Sequence, residues 1–286
     1  MTVSPYLPLA VAVLFVSFGS VLVRLAQAPP LAVAFYRIFL AALCLAPFAF
    51  APARRAWATL LPRQRAVLLA AGAALALHFA TWVASLSYTS IASSVLLVNT
   101  APLFAVGLSR VFLGESVSRL VLSAIGLALG GAGLIAAGDW AGTPGSLGGN
   151  LLAVVGAATL ALYHVIGRGL RDALPLKAYV FGVWSTAAVS LALLCLPFGV
   201  PLTGYSPRAF GLFLALALVP TLAGHGLVNQ ALRRLPAPTV GLFLLGEPVG
   251  ASLLAYFVFG EVPGPWTLGG GALVFLALAL VLRGRA

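Results

Sequence analysis

Two charged residues stand inside long apolar stretches of the sequence and are the first candidates for chemistry. Arg37 lies in PPLAVAFYRIFLAALCL, and Glu247 lies in LLGEPVGASLLAYFVFGE. A charge inside hydrocarbon is costly unless it faces other protein groups, so such residues usually serve a function or are paired. Arg37 could clamp a substrate carboxylate, snorkel to the external interface, or fix a helix through a salt bridge. Glu247 could couple proton movement, bind a substrate amine, or stay protonated and hydrogen-bond its neighbours at the break made by Pro248.

A second group of candidates consists of polar and aromatic residues within apolar segments. His78 and Trp82 are four residues apart and share one helix face, and His225 and Asn229 repeat this spacing. A cavity walled by such side chains suits a zwitterion with an apolar or aromatic side chain. The alternative is that each residue only anchors a helix at the interface or hydrogen-bonds across helices. The predicted substrate-binding residues are His78, Trp82, Asn99, Tyr163, His164, Trp184, His225 and Asn229.

The sequence does not carry the residue patterns of an intramembrane enzyme. Paired aspartates for prenyl-diphosphate chemistry, a serine–histidine protease motif and a histidine-rich cluster are all missing. The three histidines are scattered and have no partnering carboxylates, so we predict no metal site. The glycine-rich segments lie inside apolar helices without a preceding strand, so we predict no nucleotide cofactor.

The composition places these candidates in a polytopic membrane protein. The chain has 286 residues, of which 62% are hydrophobic and 7% are charged, and its mean hydropathy is +1.12. So few polar groups could not cover the surface of a water-soluble protein of this size. The formal net charge of +11 could indicate nucleic-acid binding. The basic residues, however, are concentrated on one predicted side of the membrane, as described below, and this explains the charge by topology.

Ten segments of the chain are apolar and long enough to cross a bilayer as helices, which takes about 20 residues each. Segments rich in proline and glycine separate them. We therefore predict an all-α integral membrane protein with spans near residues 6–25, 31–50, 66–86, 91–111, 118–137, 149–168, 177–198, 208–229, 237–258 and 264–282.

The basic residues divide unevenly between the two predicted sides of the membrane. Of the sixteen Lys and Arg residues, Arg24 and Arg208 fall on the side opposite the termini, and Arg37 lies within a span. The other thirteen share the side of the termini: Arg54, Arg55, Arg63, Arg65, Arg110, Arg119, Arg168, Arg171, Lys177, Arg233, Arg234, Arg283 and Arg285. Because cytoplasmic loops are enriched in Lys and Arg, we predict that both termini are cytoplasmic. The arginine-rich, alanine-rich composition fits a GC-rich bacterial genome, so we expect a bacterial inner membrane, contact with lipid and no binding of nucleic acid.

An internal repeat relates two segments of the chain. NTAPLFAVGLSRVFLGESV contains Pro102 and Glu115, thirteen residues apart, and LGEPVGASLLAYFVFGEVP contains Pro248 and Glu261 at the same separation. Each of these glutamates follows a glycine at the end of a predicted span. The chain therefore consists of two halves with five spans each.

The two halves are residues 1–142 and residues 143–286. Because five is odd, the second half enters the membrane in the opposite sense, and such inverted repeats are typical of secondary transporters. We predict that the two halves alternate access to a site between them, with Pro102 and Pro248 as bending points.

Helix geometry estimates the depth of the two buried charges. At about 1.5 Å per residue, Arg37 lies roughly 9 Å from the external end of its span, and Glu247 lies roughly 15 Å from the cytoplasmic end of the ninth span. We predict coupling or gating roles for both residues, with Arg37 near the outer mouth and Glu247 near the middle of the membrane.

Several of these segments together resemble a known family. FGSVLVRLA, PPLAVAFYRIFLAAL, ASSVLLVNTAPLFAVGLSRVFLGE and LLGEPVGASLLAYFVFGE resemble the EamA family of the drug/metabolite transporter superfamily, and the resemblance covers nearly the whole chain. It implies ten helices in two inverted repeats, a cavity lined by the third, fourth, sixth, eighth and ninth helices, and export of small metabolites such as amino acids. Small multidrug-resistance relatives carry an essential glutamate in their first span, whereas this sequence has no acid there. Other relatives transport phosphate-bearing substrates and use basic residues to bind them. This sequence has one basic residue deep inside a predicted span, Arg37, which is few for a doubly charged phosphate.

The resulting prediction is a secondary transporter that exports aromatic or neutral amino acids. The alternative is an exporter of drugs or other cations, including an uncoupled uniporter, whereas a passive channel is disfavoured by the short loops. Gly126 and Gly130 in the fifth span, and Gly269 to Gly271 in the tenth, predict close helix contact between the halves or between subunits. The protein is accordingly expected to be a monomer or a homodimer.

Overall fold

The computed structural model describes residues 6–113, 119–142, 146–167, 170, 174–231, 243–244 and 246–283, and these residues are predominantly helical. The helices are α1 (Tyr6–Leu25), α2 (Pro30–Ala58), α3 (Pro62–Ser85), α4 (Ile91–Val98), α5 (Ala101–Leu113), α6 (Arg119–Gly142), α7 (Ser146–Ile166), α8 (Leu176–Cys195), α9 (Pro207–Leu216), a π-helix (Ala217–His225), α10 (Gly226–Ala231), α11 (Gly246–Phe259) and α12 (Pro265–Arg283). Each predicted span overlaps one of these helices or a consecutive group of them.

Several of the helical segments have the length and composition of membrane spans. Seven qualify by both criteria: Leu7–Leu25, Pro30–Ala58, Pro62–Ser85, Ile91–Val111, Ser146–Ile166, Leu176–Cys195 and Pro207–Val228. Three shorter apolar segments, Leu122–Gly138, Gly246–Phe259 and Pro265–Leu280, lie in the fifth, ninth and tenth predicted spans. Most of the ninth span before Gly246 lies outside the described residues. The fold is that of an all-helical, multi-pass membrane protein.

The second helix continues well past the predicted end of its span. The segment APARRAWATLLPRQR was expected to separate two spans, but Pro47 and Pro52 lie inside α2, which ends only at Ala58. The ring of Trp57 stacks on that of Phe181 in α8, with the centroids 5.8 Å apart and the planes nearly parallel. This contact holds the extension of α2 against α8, so the packing outweighs the helix-breaking tendency of the prolines.

A break interrupts the fourth span. Asn99 and Thr100 form a turn between α4 and α5, and Pro102 is the second residue of α5. Pro248 is the third described residue of α11. A proline in the first turn of a helix removes an N–H group that has no partner within the helix in any case. Pro102 thus stands beside the start of a helical segment, and both prolines lie close to the predicted centre of the membrane.

The helices of the two halves interleave. The most extensive contacts join α6 to α12, α3 to α7 and α8, α2 to α8, and α1 to the π-helix and α11. Each of these pairs combines one half of the chain with the other. Parts of the molecule that move against each other would therefore contain helices from both halves, and would not coincide with residues 1–142 and 143–286.

Glycines bring α6 and α12 into backbone contact. A Cβ atom built on Gly131 would lie 2.6 Å from the carbonyl oxygen of Gly270, and one on Gly270 would lie 2.5 Å from that of Gly131. Cβ atoms on Gly126 and Gly130 would meet no atom within 4 Å. Small residues therefore form a contact between the halves, but on α6 it is made by Gly131, and the predicted pair faces away from it.

This contact predicts opposite outcomes for two neighbouring glycines. We expect Gly131→Val to destabilise the protein by roughly 2–3 kcal/mol, because the added side chain would collide with backbone that cannot move aside. Gly130→Val adds the same side chain facing open space and is the matched control. Thermal unfolding in detergent measures both variants, and equal melting temperatures would contradict this assignment.

Candidate substrate-binding centre

Arg37 is fully buried and connects α2 to the π-helix. Its side chain is 1% exposed. Its Nε donates a hydrogen bond to Oγ1 of Thr221 at 2.8 Å, and its Nη2 lies 3.4 Å from Nε2 of His225. The Thr221 hydroxyl in turn donates to the carbonyl oxygen of Leu216 at 2.8 Å. Thr221 and His225 both lie on the π-helix, a rare conformation that is frequent at functional sites.

Aromatic rings cover the guanidinium group of Arg37. Its Cζ lies 4.5 Å from the ring centroid of Phe79 and 5.4 Å from that of Trp82, both on α3. Its Nη1 is buried and has no hydrogen-bond partner among the described residues. A buried charged donor without an acceptor is costly, so this is a position where a ligand carrying an acceptor would gain most. The same burial shows that the snorkelling interpretation of Arg37 is wrong, because the guanidinium does not reach the interface.

Glu247 approaches Arg37 from the second half of the chain. It is half-buried in the first turn of α11. Its carboxyl group is close enough to Arg37 for the two charges to attract each other, and the nearby side chain of Asn99 donates to the carbonyl oxygen of Val95 at 2.9 Å. Within the described residues, the only ion pair closer than 4.0 Å joins Arg24 to Glu261. The deep charges Arg37 and Glu247 therefore face the same region without a direct salt bridge.

His78 and Trp82 extend one wall of this region. Their rings are parallel, with the centroids 6.1 Å apart. Nδ1 of His78 lies 2.9 Å from the carbonyl oxygen of Gly156 on α7. Because a carbonyl only accepts, Nδ1 carries the hydrogen, and Nε2 remains an acceptor. The bond fixes the ring between α3 and α7, where Gly156 allows close approach: a Cβ atom there would lie 3.2 Å from Cβ of Trp82.

The other predicted binding residues are placed less uniformly. On α7, Tyr163 is buried and His164 is exposed, and their ring centroids are 4.9 Å apart. Trp184 is buried in the hydrophobic core on α8, and the contacts described above do not include it. The side chain of Asn229 lies outside the described residues.

Three further residues of this centre were not predicted from the sequence: Phe79, Gly156 and Thr221. Phe79 looked like one more apolar residue of its span, and Gly156 like an ordinary small residue. Thr221 follows Pro220 in the middle of an apolar segment. A proline there removes a backbone donor and disturbs the helix, and a π-helix forms around it. That proline was the available signal for Thr221.

The bond between Thr221 and Arg37 can be tested by stability. We expect Thr221→Val to destabilise the protein by about 1–3 kcal/mol, because it leaves Nε of Arg37 buried without an acceptor. Thr221→Ser keeps the hydroxyl and should restore most of that loss. Thermal unfolding in detergent compares the two variants, and a valine variant as stable as the serine variant would contradict the assigned bond.

The described residues form a multi-pass helical bundle in which Arg37 is buried beneath aromatic rings and the oppositely charged Glu247 is half-buried nearby. The model of the EamA-like transporter family matches this chain twice, over residues 4–137 and 147–283. The chain therefore belongs to the EamA-like transporter family and has its two-repeat architecture.

Three relatives are named as transporters. The "uncharacterized transporter YwfM" of Bacillus subtilis is 28% identical over 66% of this chain, and an "uncharacterized transporter" of Archaeoglobus fulgidus is 28% identical over 92% of it and 91% of its own length. A "probable terminal-alkyne amino-acid exporter" of Streptantibioticus cattleyicolor is 30% identical over 66% of this chain. The alignments with the Bacillus and Streptantibioticus proteins span 63% of those proteins' own lengths.

A solved crystal structure shares the fold. It superposes with a TM-score of 0.67 at 20% sequence identity, and the alignment covers 99% of this chain and 98% of the other. At this level of identity the likeness concerns the fold alone, which agrees with the membership in a transporter family.

Proposed function

We propose that this protein is a secondary transporter that exports neutral or aromatic amino acids. The observation that carries this proposal is the pair of opposite charges, Arg37 and Glu247, which face one aromatic-walled region without neutralising each other directly. An amino-acid zwitterion carries the complementary pair of charges. Each buried charge of the protein would gain a partner in the same binding event, which repays part of the cost of desolvating it.

The residues around these charges define a binding mode. The substrate carboxylate accepts from Nη1 of Arg37, which has no partner among the described residues, and the substrate ammonium donates to the carboxylate of Glu247. An apolar or aromatic substrate side chain lies against Phe79 and Trp82, where rings contribute area and favourable stacking geometry. Substrates that lack either charge leave one buried charge of the protein unpaired.

Binding and release require the helices around Arg37 to move, because its side chain is 1% exposed. The packing defines two groups of helices from both halves: α2, α3, α7 and α8 on one side, and α1, the π-helix and α11 on the other. Arg37 bridges the two groups through Thr221 and His225. We infer that these groups alternate access to the centre and that the break beside Pro102, together with the proline at position 248, absorbs the bending.

The orientation in the membrane follows from the charges. The Arg24 end of the bundle is defined here as the end where α1 finishes and α4, α7 and α12 begin. The opposite end carries most of the basic residues, and the positive-inside rule makes it cytoplasmic. We infer ten spans with both termini in the cytoplasm of a bacterium, and an external Arg24 end. The proposed site uses residues of one chain, so a monomer suffices and a homodimer would contain two independent sites.

The Streptantibioticus relative supports the substrate class, because its name describes an amino-acid exporter. The alternative is export of lipophilic cations. It is favoured by one observation: the partners of Arg37 within the protein, Thr221 and His225, could hold that residue in a purely structural role. In that case Glu247 and the aromatic rings alone would bind the substrate.

Counterflow in proteoliposomes distinguishes the two. Purified protein is reconstituted in liposomes loaded with excess unlabelled amino acid, and uptake of labelled L-phenylalanine, L-leucine and L-threonine is compared with uptake of tetraphenylphosphonium. We expect accumulation of at least one amino acid above empty liposomes and none of the cation. Accumulation of the cation alone would favour the alternative, and absence of counterflow across a broad amino-acid panel would overturn the substrate class.

A further inference from the structure

A polar cavity lies at the Arg24 end of the bundle, apart from the buried residues around Arg37. Its volume is about 590 Å³, within the range of small-molecule sites, which is roughly 300–1,000 Å³. Arg24 and Glu261 are its charged residues within the described part of the chain, and the wall also includes Ser146, Trp266 and Thr267. None of these residues belongs to the centre around Arg37.

Arg24 is held in place by the first half of the chain. Its Nη2 donates to the carbonyl oxygens of Leu86 at 3.0 Å and Thr89 at 2.8 Å, just beyond the end of α3. Its Cζ lies 5.7 Å from the ring centroid of Phe259. These contacts do not involve Nη1, which makes the ion pair with Oε1 of Glu261. If Glu261 left, Arg24 would keep both carbonyl bonds and would still present Nη1 to the cavity.

Glu261 occupies a position suited to any carboxylate. It stands on the turn between α11 and α12, directly after Gly260, whose positive φ of 69° allows the chain to leave α11 sharply. While Oε1 contacts Arg24, Oε2 accepts from the backbone N–H of Ile91 at 3.1 Å, at the first residue of α4. One arginine and one helix N-terminus thus bind the two oxygens of a single carboxylate, as they would bind those of a ligand.

The rest of the wall also favours negative charge. Besides α4, the helix α12 begins at this cavity, at Pro265, and its N-terminus carries about half a positive charge. A carboxylate bound at Arg24 would therefore have two helix N-termini near it.

We propose that this cavity is an outer binding site for the carboxylate of the exported substrate, which replaces Glu261 on Arg24 and on the N-terminus of α4. The freed carboxylate of Glu261 then accepts from the ammonium group of the same ligand. Glu261 acts as an internal substitute for the ligand that closes the Arg24 end while the site is empty. This inference rests on the amino-acid substrate proposed above. It adds a second binding site on the path between the Arg37 centre and the external side.

Labelling of a single cysteine measures whether the cavity opens. Cys44 and Cys195 are replaced by alanine, and Ser252, which lines the cavity on α11, is replaced by cysteine. The rate of modification by a neutral, water-soluble maleimide is followed in nanodiscs, because a neutral reagent does not respond to changes in local charge. We expect Glu261→Gln to raise this rate about tenfold, while Arg208→Gln, which removes an exposed arginine at the same end, leaves it unchanged.

Three probes then test the exchange of carboxylates. The protein used is the single-cysteine variant that carries Ser252→Cys and retains Glu261. L-phenylalanine and 3-phenylpropionate should raise its labelling rate several-fold. L-phenylalaninamide, which lacks the carboxylate, should not. Arg24→Gln should remove the response to both carboxylates. Equal responses to phenylalanine and its amide, or no response to either carboxylate, would overturn the outer site.

The outcome is separable from that of the proposed function. In an Arg37→Gln background, phenylalanine counterflow should be lost while the labelling response to 3-phenylpropionate persists. Counterflow in the unaltered protein without any labelling response refutes only the outer site. A labelling response without counterflow of any amino acid refutes the amino-acid substrate and leaves a carboxylate site at the Arg24 end.

Discussion

Replacing Arg37 by glutamine is expected to reduce phenylalanine counterflow by about 30-fold or more. In the proposed binding mode the substrate carboxylate has its charged partner in Nη1 of this arginine, which is buried and otherwise unpartnered. Removing one member of a buried, hydrogen-bonded charge pair costs roughly 2–5 kcal/mol, and each 1.4 kcal/mol is a factor of ten. The measurement is initial counterflow of labelled L-phenylalanine in proteoliposomes.

The matched controls separate binding from folding. Arg37→Lys keeps the positive charge but loses the planar fork that serves Thr221, His225 and the ligand together, so we expect an intermediate loss of counterflow. Arg208→Gln should transport normally. All variants are compared after gel filtration and thermal unfolding. If the glutamine variant is folded and still exchanges phenylalanine at the unaltered rate, Arg37 does not bind the carboxylate.

A selectivity measurement sharpens this test. With glutamine at position 37, transport of ligands whose carboxylate binds Arg37 should fall more than transport of ligands that have no carboxylate. The ratio of phenylalanine to 2-phenylethylamine transport should therefore fall by at least about tenfold, because the amine does not use Arg37. A loss that is equal for both compounds would indicate that Arg37 stabilises the π-helix contact and has no direct role in recognition.

The positions of the helices could be predicted because they depend on local properties of the chain. Apolar runs of about 20 residues, separated by proline and glycine, predict helices that must satisfy their own backbone hydrogen bonds in lipid. The same reasoning failed for α2, whose predicted span ended at residue 50, whereas the helix continues through Pro52 to Ala58. There the stacking of Trp57 on Phe181, a contact between distant parts of the chain, outweighs the local signal.

The candidate centre was predictable in part. Arg37 and Glu247 were identified because a charge in an apolar run is costly wherever it lies, but nothing in the sequence placed them near each other. Their approach depends on how α2, α11 and the π-helix pack. The depth estimate near the outer mouth stays a prediction for Arg37, and the structure adds that its side chain is buried against Phe79 and Thr221. Counting residues along a straight helix gives height in the membrane and does not give the direction of a long side chain.

Replacing Glu247 by glutamine is the complementary experiment at the same centre. We expect counterflow of zwitterionic phenylalanine to fall by about 30-fold or more, because the substrate ammonium loses its charged acceptor and the charge of Arg37 is no longer balanced. The amide is of similar size and keeps an oxygen that can accept from Asn99, so the fold should survive. The matched control is Arg208→Gln, which replaces an exposed charged residue by the same amide outside both proposed sites and should transport normally.

Selectivity again decides the role. With Glu247→Gln, 3-phenylpropionate has one charge and meets one buried charge of the protein, so its transport relative to phenylalanine should rise at least about tenfold. A different result is expected if Glu247 carries protons and does not bind the amine. Phenylalanine counterflow would then survive the substitution, and only the response of net uptake to an imposed pH gradient would disappear. Because exchange at equal pH requires no net proton movement, the two measurements on one variant distinguish an amine ligand from a coupling residue.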